Sequence, residues 1–229
     1  MFRKPTIVSQ LRGFIDHHSH ILFGVDDGVK TLDVSLKVLQ RYEEIGIATV
    51  WCTPHIMEDI PNTTDALLDR FEELKAAYTG FIQLHLGAEY MMDEVFSERL
   101  ENNDLLPLGV EKKHLLVETS YFNPPMNMEN TLIKIKSKGY FPVLAHPERY
   151  FYMTKSHYRH IKELGILFQL NLSSLAGAYG EEAQKKANWL LKKGFYDIAG
   201  SDLHSLRNLD FWNTKINLSY IKNSSLESN

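Results

Sequence analysis

A chain of 229 residues can form one large domain or two small ones, and its 44% hydrophobic and 24% charged residues are ordinary for a globular protein with a buried core. The net charge of −4, from 25 basic and 29 acidic residues, provides no excess positive charge for binding nucleic acid. The single cysteine, Cys52, excludes an internal disulfide and a thiolate-rich metal site.

The N-terminal residues carry Arg3, Lys4 and Arg12 but lack the continuous apolar segment of a signal peptide. Nowhere do about 18 apolar residues follow one another, as a membrane-spanning helix would require. We therefore expect a cytoplasmic protein that is not embedded in a membrane, with residues 1–13 as an N-terminal extension.

Short apolar runs alternate with longer segments of helical period, which is the pattern of βα units around a parallel sheet. The predicted strands are 14–16, 47–52, 83–88, 114–117, 141–145, 166–170 and 196–199. The helices predicted between them are 33–45, 65–78, 94–100, 128–138, 156–164 and 181–193. This alternation predicts one α/β barrel-like domain over residues 14–221, followed by a polar tail at 222–229.

Side chains that can bind metal ions follow the ends of almost all the predicted strands. In chain order they are His18, His20, His55, Glu89, Glu118, His146, Asp202 and His204. The carboxyl ends of the strands of a parallel barrel lie on one face, so we expect these side chains to meet there. His18 and His20 are two residues apart, which in extended backbone points both side chains the same way.

Together with Asp27 in the first loop, the set comprises five histidines, two aspartates and two glutamates. These nine side chains are more than one ion can coordinate, and they suit two or three ions. Imidazole nitrogen mixed with carboxylate oxygen favours Zn²⁺, Mn²⁺ or Fe²⁺ over Mg²⁺ or Ca²⁺. Without metal ions the four carboxylates would repel one another, whereas with three divalent ions the site would be electropositive and suited to a phosphate group.

The other histidines are expected to lie away from the metal site. His17 alternates with the ligands and is predicted to face outward, while His85 and His114 lie at the starts of strands. His157 and His160 belong to the surface of a predicted helix.

Seven short motifs occur in a fixed order along the chain: His18-Ser19-His20, Asp26-Asp27-Gly28, Thr53-Pro54-His55, Gly87-Ala88-Glu89, Val117-Glu118, His146-Pro147-Glu148-Arg149 and Ser201-Asp202-Leu203-His204. This ordered set resembles the polymerase and histidinol phosphatase (PHP) superfamily, and more narrowly its bacterial protein-tyrosine phosphatases of the CpsB and YwqE type. The resemblance implies a single-domain α/β fold, the distorted TIM-like (β/α)7 barrel of the PHP type.

The resemblance also implies a centre of two or three divalent metal ions, most often Mn²⁺, with Fe²⁺ or Zn²⁺ as alternatives. One ion would be held by His18, His20, Glu89 and Asp202, a second by Glu89, Glu118 and His146, and a third by Asp27, His55 and His204. Arg149 would match the family's phosphate-binding arginine, whereas Arg207 is only an approximate counterpart of a second arginine.

The activity implied by the resemblance is that of a metal-dependent protein-tyrosine phosphatase, which hydrolyses phosphotyrosine by metal-activated hydroxide. Its partner would be a bacterial tyrosine autokinase that controls capsule or exopolysaccharide synthesis. A tyrosine leaving group is expelled more easily than a serine alkoxide, and His55 or His204 could assist it as a catalytic residue. Two alternatives stay open: a small-molecule phosphomonoesterase such as a histidinol phosphatase, and a non-catalytic metal-stabilised regulatory module.

Cysteine-based phosphatase chemistry is disfavoured, because the cysteine nucleophile of such enzymes is closely followed by a phosphate-binding arginine and Glu58 stands at the matching position. Cys52 is therefore expected to pack within its strand. Aromatic residues after the fourth and fifth strands could wall a phosphotyrosyl pocket or simply pack over the barrel: Tyr121, Phe122, Tyr150, Phe151 and Tyr152.

Overall fold

Parallel strands alternate with helices in the computed structural model, which describes residues 5–111, 113–216 and 218. The strands are β1 (Ile15–Ser19), β2 (Thr49–Cys52), β3 (His55–Ile56), β4 (Gln83–Leu86), β5 (Glu89–Met91), β6 (His114–Glu118), β7 (Phe141–Leu144), β8 (Leu167–Asn171) and β9 (Ile198–Gly200). The helices are α1 (Leu32–Ile45), α2 (Thr64–Ala77), α3 (Glu94–Asn102), α4 (Met128–Ser137), α5 (Lys155–Glu163), α6 (Leu172–Leu175) and α7 (Gly180–Lys193). Three 3-10 helices in the described residues are Val8–Gln10, Pro147–Arg149 and Leu206–Asn213. The predicted tail at 222–229 lies outside the described residues.

Several helices begin where a side chain can accept a hydrogen bond from the first turn. Thr63 accepts from an amide at the start of α2, and Asp93 Oδ1 accepts from the Phe96 amide at the start of α3 at 2.9 Å. Each such cap stabilises a helix by about 1 kcal/mol. α1 ends at Ile45, and the residue that follows, Gly46, has a φ of 89° in the left-handed region that glycine adopts readily. None of the helices in the described ranges is long and apolar enough to cross a bilayer.

The strands close into a barrel that follows chain order once β3 is taken as the continuation of β2, and β5 as the continuation of β4. β1 pairs with β2 and β2 with β4, while β3, β5, β6, β7, β8 and β9 pair in that order, all in parallel. The ring closes where the Asp202 amide donates to His18 O at 2.7 Å and the His20 amide donates to Leu203 O at 3.0 Å. This close approach requires Gly200, because a Cβ there would lie 2.5 Å from His18 Cβ. The predicted distorted (β/α)7 barrel is confirmed.

Two of the predicted strands, 47–52 and 83–88, are each followed by a further short strand that was not predicted. Residues 53–54 separate β2 from β3, and residues 87–88 separate β4 from β5. Pro54 has no amide hydrogen to donate to a ladder, but its carbonyl accepts from the Glu89 amide at 3.0 Å. As a result, His55 and Glu89 begin new segments instead of following completed strands.

Alternate side chains of the strands pack into two hydrophobic layers. Leu115 and Val117 of β6 belong to the large cluster that also contains Leu132 and Ile135 of α4. Leu116, which lies between them in β6, belongs to a smaller cluster with side chains from β2, β7 and β9. The outer layer therefore fixes the helices to the barrel, and the inner layer fills the barrel itself.

His17 is buried inside the barrel, so the prediction that it faces outward is wrong. Its exposed fraction is 4%, and its Nδ1 lies 3.2 Å from the Ala199 carbonyl oxygen. Burial lowers the pKa of this imidazole to about 4. Both faces of a strand in a closed barrel are covered, so alternation with the ligands does not direct a side chain into water. The predicted surface positions of His157 and His160 on α5 are confirmed.

The residues ahead of β1 pack against residues that follow β9. Ile7 and Leu11 are fully buried, and the Ile7 amide donates to Thr214 O at 3.0 Å. Gln10 Nε2 donates to Ile216 O at 2.7 Å. The described part of the N-terminal extension thus belongs to the same hydrophobic core as the barrel.

Candidate metal centre

The side chains of His18, which lies within β1, and His20, just beyond it, converge with their Nε2 atoms 3.1 Å apart. His18 Nδ1 donates to Gln169 Oε1 at 3.0 Å, an oxygen that also accepts from the His146 amide. His20 Nδ1 donates to Asp26 Oδ2 at 2.7 Å. Because both Nδ1 hydrogens are used in this way, the neutral rings direct two Nε2 lone pairs at each other. Such an arrangement requires a proton or a metal ion between the rings.

Glu89 occupies the centre of the cluster. Its Oε2 lies 3.1 Å from His18 Nε2, 3.3 Å from His20 Nε2 and 3.2 Å from His55 Nδ1. Its Oε1 lies 3.0 Å from His146 Nε2. Within the described part of the chain, Glu89 Oε2 and His55 Nδ1 are buried and make no hydrogen bond of acceptable geometry. Buried polar atoms that approach one another without a hydrogen bond fit a shared metal ion.

Asp202 joins the same group from the loop after β9. Its Oδ1 lies 3.5 Å from His18 Nε2 and 3.3 Å from His20 Nε2. Asp202 has a φ of 50° and His146 a φ of 31°, both in the left-handed region that side-chain-bearing residues rarely adopt. Each such conformation costs about 1 kcal/mol or more, and this kind of strain is concentrated at functional sites.

Asp27 and His204 form the open side of the cluster. His204 Nε2 lies 3.3 Å from Asp27 Oδ1, and His55 Nε2 lies 3.6 Å from the same oxygen. The Asp27 side chain is 64% exposed and that of His204 is 28% exposed, in contrast to the buried Glu89. The hydrogen bond with His204 holds the pKa of Asp27 below its usual value. Water and a substrate can therefore reach the cluster from this side.

Candidate ligand atoms that lie within 4.8 Å of one another form three groups: His18, His20, Glu89 and Asp202; His55, Glu89 and Glu118; and His20, Asp27, His55 and His204. The first group has the composition expected from the sequence, and the third contains the expected residues together with His20. The second group contains His55 in place of the expected His146. His146 Nε2 nevertheless lies 3.0 Å from a carboxylate oxygen of Glu89 and 3.8 Å from one of Glu118. The fold thus brings all nine predicted ligands into one cluster.

The electrostatics of the cluster favour positive charge at its centre. Burial by itself would lower the pKa of His18, but the charges of Glu89 and Asp202 outweigh it and raise that pKa to about 9. Burial would raise the pKa of Glu89, yet the nearby imidazoles of His18 and His55 hold it well below the usual value. Divalent cations bound at the centre would balance the negative charge of the carboxylates, so the imidazole rings would not need to be protonated. Together with the mixed nitrogen and oxygen donors, this shows that the residues fit transition-metal ions.

Arg149 extends from the 3-10 helix after β7 to the edge of the cluster. Its Nη1 donates to Asp202 Oδ2 at 2.6 Å. The guanidinium carbon lies 4.5 Å from the ring centroid of Tyr121 and 4.1 Å from that of Tyr179, so the two rings flank the cation. The edges of the guanidinium carry the donors that could bind a phosphate oxygen. Arg207, in contrast, is exposed on the 3-10 helix after β9.

A cavity of about 170 Å³ adjoins Arg149 and is walled in part by Tyr121, Phe151 and Tyr179. Two of the aromatic residues suggested as pocket walls have another role. Tyr150 is fully buried and its hydroxyl donates to Ala145 O at 2.9 Å, while the Tyr152 hydroxyl lies 2.7 Å from Thr119 Oγ1. These two rings pack beneath the loops, whereas Tyr121 and Phe151 line the cavity and Phe122 lies outside its lining.

Three side chains that contact ligands of the cluster or Arg149 were not predicted from the sequence. Asp26 and Gln169 orient the imidazoles of His20 and His18, and Tyr179 contacts Arg149. The signal for Gln169 is a polar residue within an otherwise apolar strand. Asp26 is the neighbour of a predicted ligand, which gives no sign of its separate role. No sequence spacing links Tyr179 with Arg149, since their contact depends on how the loops fold over the barrel.

A family model described as capsular polysaccharide synthesis, CpsB/CapC, matches residues 14–210. The putative tyrosine-protein phosphatase CapC of Staphylococcus aureus is 26% identical over 208 residues, which cover 86% of this chain and 79% of the relative. The tyrosine-protein phosphatase YwqE of Bacillus subtilis (strain 168) is 29% identical over 203 residues, which cover 86% of this chain and 80% of the relative.

Solved structures of other proteins match the fold of this chain. The work on YwqE from Bacillus subtilis and CpsB from Streptococcus pneumoniae, described as unique metal-dependent tyrosine phosphatases, includes a chain that matches with a TM-score of 0.77 and 26% identity. That match covers 85% of this chain and 81% of the other. The lactonase Lmo2620 from Listeria monocytogenes matches with a TM-score of 0.52 at 14% identity, which is a likeness of fold alone.

Proposed function

This chain belongs to the CpsB/CapC family of capsular polysaccharide synthesis proteins, and on that basis we propose that it is a metal-dependent protein-tyrosine phosphatase. We assign its phosphatase domain to residues 14–221. The curated relatives are named tyrosine-protein phosphatases, and the matching solved structure is of a metal-dependent one. The reaction is the hydrolysis of a phosphotyrosyl side chain to tyrosine and phosphate.

The observation that carries this proposal is the pair of facing Nε2 atoms of His18 and His20, 3.1 Å apart, with carboxylate oxygens of Glu89 and Asp202 beside them. A cluster of this composition is unfavourable unless cations occupy it. The Arg149 guanidinium is joined to the cluster through Asp202, so a side chain suited to binding phosphate lies next to the candidate metal ligands. A purely structural metal site has no need of the exposed edge that Asp27 provides.

We assign two or three divalent ions to the cluster, most favourably Mn²⁺, with Fe²⁺ or Zn²⁺ compatible with the same donors. The residues that would hold them are His18, His20, Asp27, His55, Glu89, Glu118, His146, Asp202 and His204. When bound, these ions would supply a nucleophile from water at neutral pH and neutralise phosphate charge. Glu89, central in the cluster, is the ligand best situated to be shared between ions.

We assign the contacts with the substrate to three residues: Arg149, His55 and His204. Arg149 would donate two hydrogen bonds to phosphate oxygens and hold the group in line, a task for which a planar guanidinium is suited. His204 lies on the accessible side of the cluster, and it or His55 would deliver a proton to the leaving tyrosyl oxygen in a state in which that imidazole does not hold an ion. A phenolate, with a pKa of about 10, needs less of this assistance than a serine alkoxide.

The partner that fits this assignment is a phosphotyrosyl protein, and in particular a bacterial tyrosine autokinase in capsule or exopolysaccharide synthesis. The capsular context of the family supports it. Because such a kinase presents its phosphotyrosine inside the cell, we propose a cytoplasmic location.

A substrate panel with and without chelator tests the proposed function. We expect chelator-sensitive turnover of a phosphotyrosyl peptide that exceeds turnover of a phosphoseryl peptide and of histidinol phosphate. His146→Ala should abolish it, whereas His160→Ala, which alters an exposed histidine paired with Glu129 at 3.0 Å, should not.

The two alternative functions give different results in this assay. Equal or faster turnover of histidinol phosphate would indicate a small-molecule phosphatase. No chelator-sensitive turnover of any substrate would indicate a regulatory module.

A further inference from the structure

Two phenylalanine rings lie stacked and exposed on the loops that follow β6 and β7. Phe122 is 70% exposed and Phe151 is 52% exposed, with ring centroids 5.4 Å apart and planes inclined by 21°. The loops are joined by a hydrogen bond from the Phe151 amide to Tyr121 O at 2.8 Å. Adjacent exposed apolar side chains of this size are typical of interaction sites.

This aromatic pair is continuous with the cavity beside Arg149. Phe151 lines that cavity together with Tyr121 and Arg149, while Phe122 continues the apolar surface outside it. A phosphate ester whose organic group lies in this cavity would therefore have Phe151 beside that group. A polypeptide attached to that group would leave the cavity over the stacked rings.

We propose that the Phe122–Phe151 pair is a docking surface for an apolar side chain next to the phosphotyrosine of a protein substrate. This inference rests on the proposed function. The occupant is a transient substrate and not a second copy of the chain, because the pair adjoins the cavity beside Arg149, and stable self-association over Phe151 would cover that cavity. The surface thus selects for the sequence around the phosphotyrosine, and Arg149 with the metal cluster selects for the phosphate.

The position of the pair supports this choice of occupant. Both phenylalanines follow the carboxyl ends of strands, on the same face of the barrel as the metal cluster. Phe81 is similarly exposed, at 66%, but it precedes β4 and so belongs to the opposite end of the barrel. Phe81→Ala is therefore a matched control, since it removes an equally exposed ring that cannot meet the same substrate.

The test compares two phosphotyrosyl peptides that differ only in the residues on either side of the phosphotyrosine, leucine in one and serine in the other. We expect the wild type to favour the leucine peptide. In Phe122→Ala, the ratio of kcat/KM for the leucine peptide to kcat/KM for the serine peptide should fall by about threefold to tenfold, the usual range for one aromatic contact. The fall should come from a higher KM for the leucine peptide. Phe81→Ala should leave the ratio at the wild-type value.

Two results would overturn the inference. One is a wild type that turns over both peptides at equal kcat/KM, and the other is a ratio that Phe122→Ala leaves unchanged. Failure of the proposed function would look different, because the wild type would then hydrolyse neither peptide. A thermal melt of each variant checks that the exposed substitution leaves the fold intact.

Discussion

Asp26 Oδ2 accepts a hydrogen bond from His20 Nδ1 at 2.7 Å and another from the His55 amide at 3.1 Å. Its second oxygen accepts from the Gly28 amide at 2.9 Å. One carboxylate therefore fixes the ring of one candidate ligand, the backbone of a second and the loop that presents Asp27. It connects three of the four residues in the more exposed group of candidate ligands.

The first prediction concerns this carboxylate. Asp26→Ala should weaken binding of the metal ions by about tenfold to a hundredfold, the usual effect of losing a side chain that orients a histidine ligand. Titration of metal-free protein with Mn²⁺ by calorimetry measures the loss directly. Asp69→Ala, which changes an exposed acid of α2, is the control. Wild-type affinity in Asp26→Ala would show that His20 and His55 hold their positions without it.

The second prediction is that charge alone cannot replace Arg149. Lysine keeps the positive charge but not the planar fork or the stacking between Tyr121 and Tyr179. Arg149→Lys should lower kcat/KM for a phosphotyrosyl peptide by about a hundredfold, as the loss of one oriented donor does at comparable sites. Metal content should stay at the wild-type level, which separates loss of phosphate binding from loss of the centre. Near-normal kcat/KM in this variant would remove Arg149 from the substrate site.

The third prediction separates the ring of Tyr179 from its hydroxyl group. Asn171 Nδ2 donates to Tyr179 Oη at 3.1 Å, whereas the contact with Arg149 is made by the ring. Tyr179→Phe should therefore stay within about twofold of the wild type, and Tyr179→Leu should raise KM by about threefold to tenfold, as expected for one cation–π contact. Steady-state kinetics on a phosphotyrosyl peptide make the comparison. An equal rise of KM in both variants would mean that the hydroxyl group matters more than the ring, and a KM unchanged in both would remove the ring from the substrate site.

The fourth prediction tests cysteine chemistry. Cys52 is fully buried in β2, and burial raises the pKa of its thiol above the usual value, so the reactive thiolate is not formed near neutral pH. Cys52→Ala should retain most of the activity, and iodoacetamide should not inactivate the native enzyme at pH 8. Activity that disappears with Cys52 while the protein remains folded would contradict a metal-dependent mechanism.

The sequence predicts the barrel and the cluster because both follow from local patterns. Alternation of strands and helices places successive strand ends on one face, so residues as distant as His18 and Asp202 could be expected to meet. The burial of His17 could not be expected from alternation alone, since the closed barrel covers both faces of its strand. The contacts of Asp26 with His55 and of Tyr179 with its arginine depend on loop conformations that no periodicity encodes.

The most direct test of the account is the metal content of the purified protein. After incubation with Mn²⁺ and removal of free ions by gel filtration, elemental analysis should find about two or three equivalents per chain in the wild type. Glu89→Gln, which alters the carboxylate at the centre of the cluster, should retain less than about one equivalent. Glu129→Gln, which alters an exposed glutamate on α4, should match the wild type. A wild type without bound metal, or a Glu89→Gln variant with undiminished metal, would contradict the account.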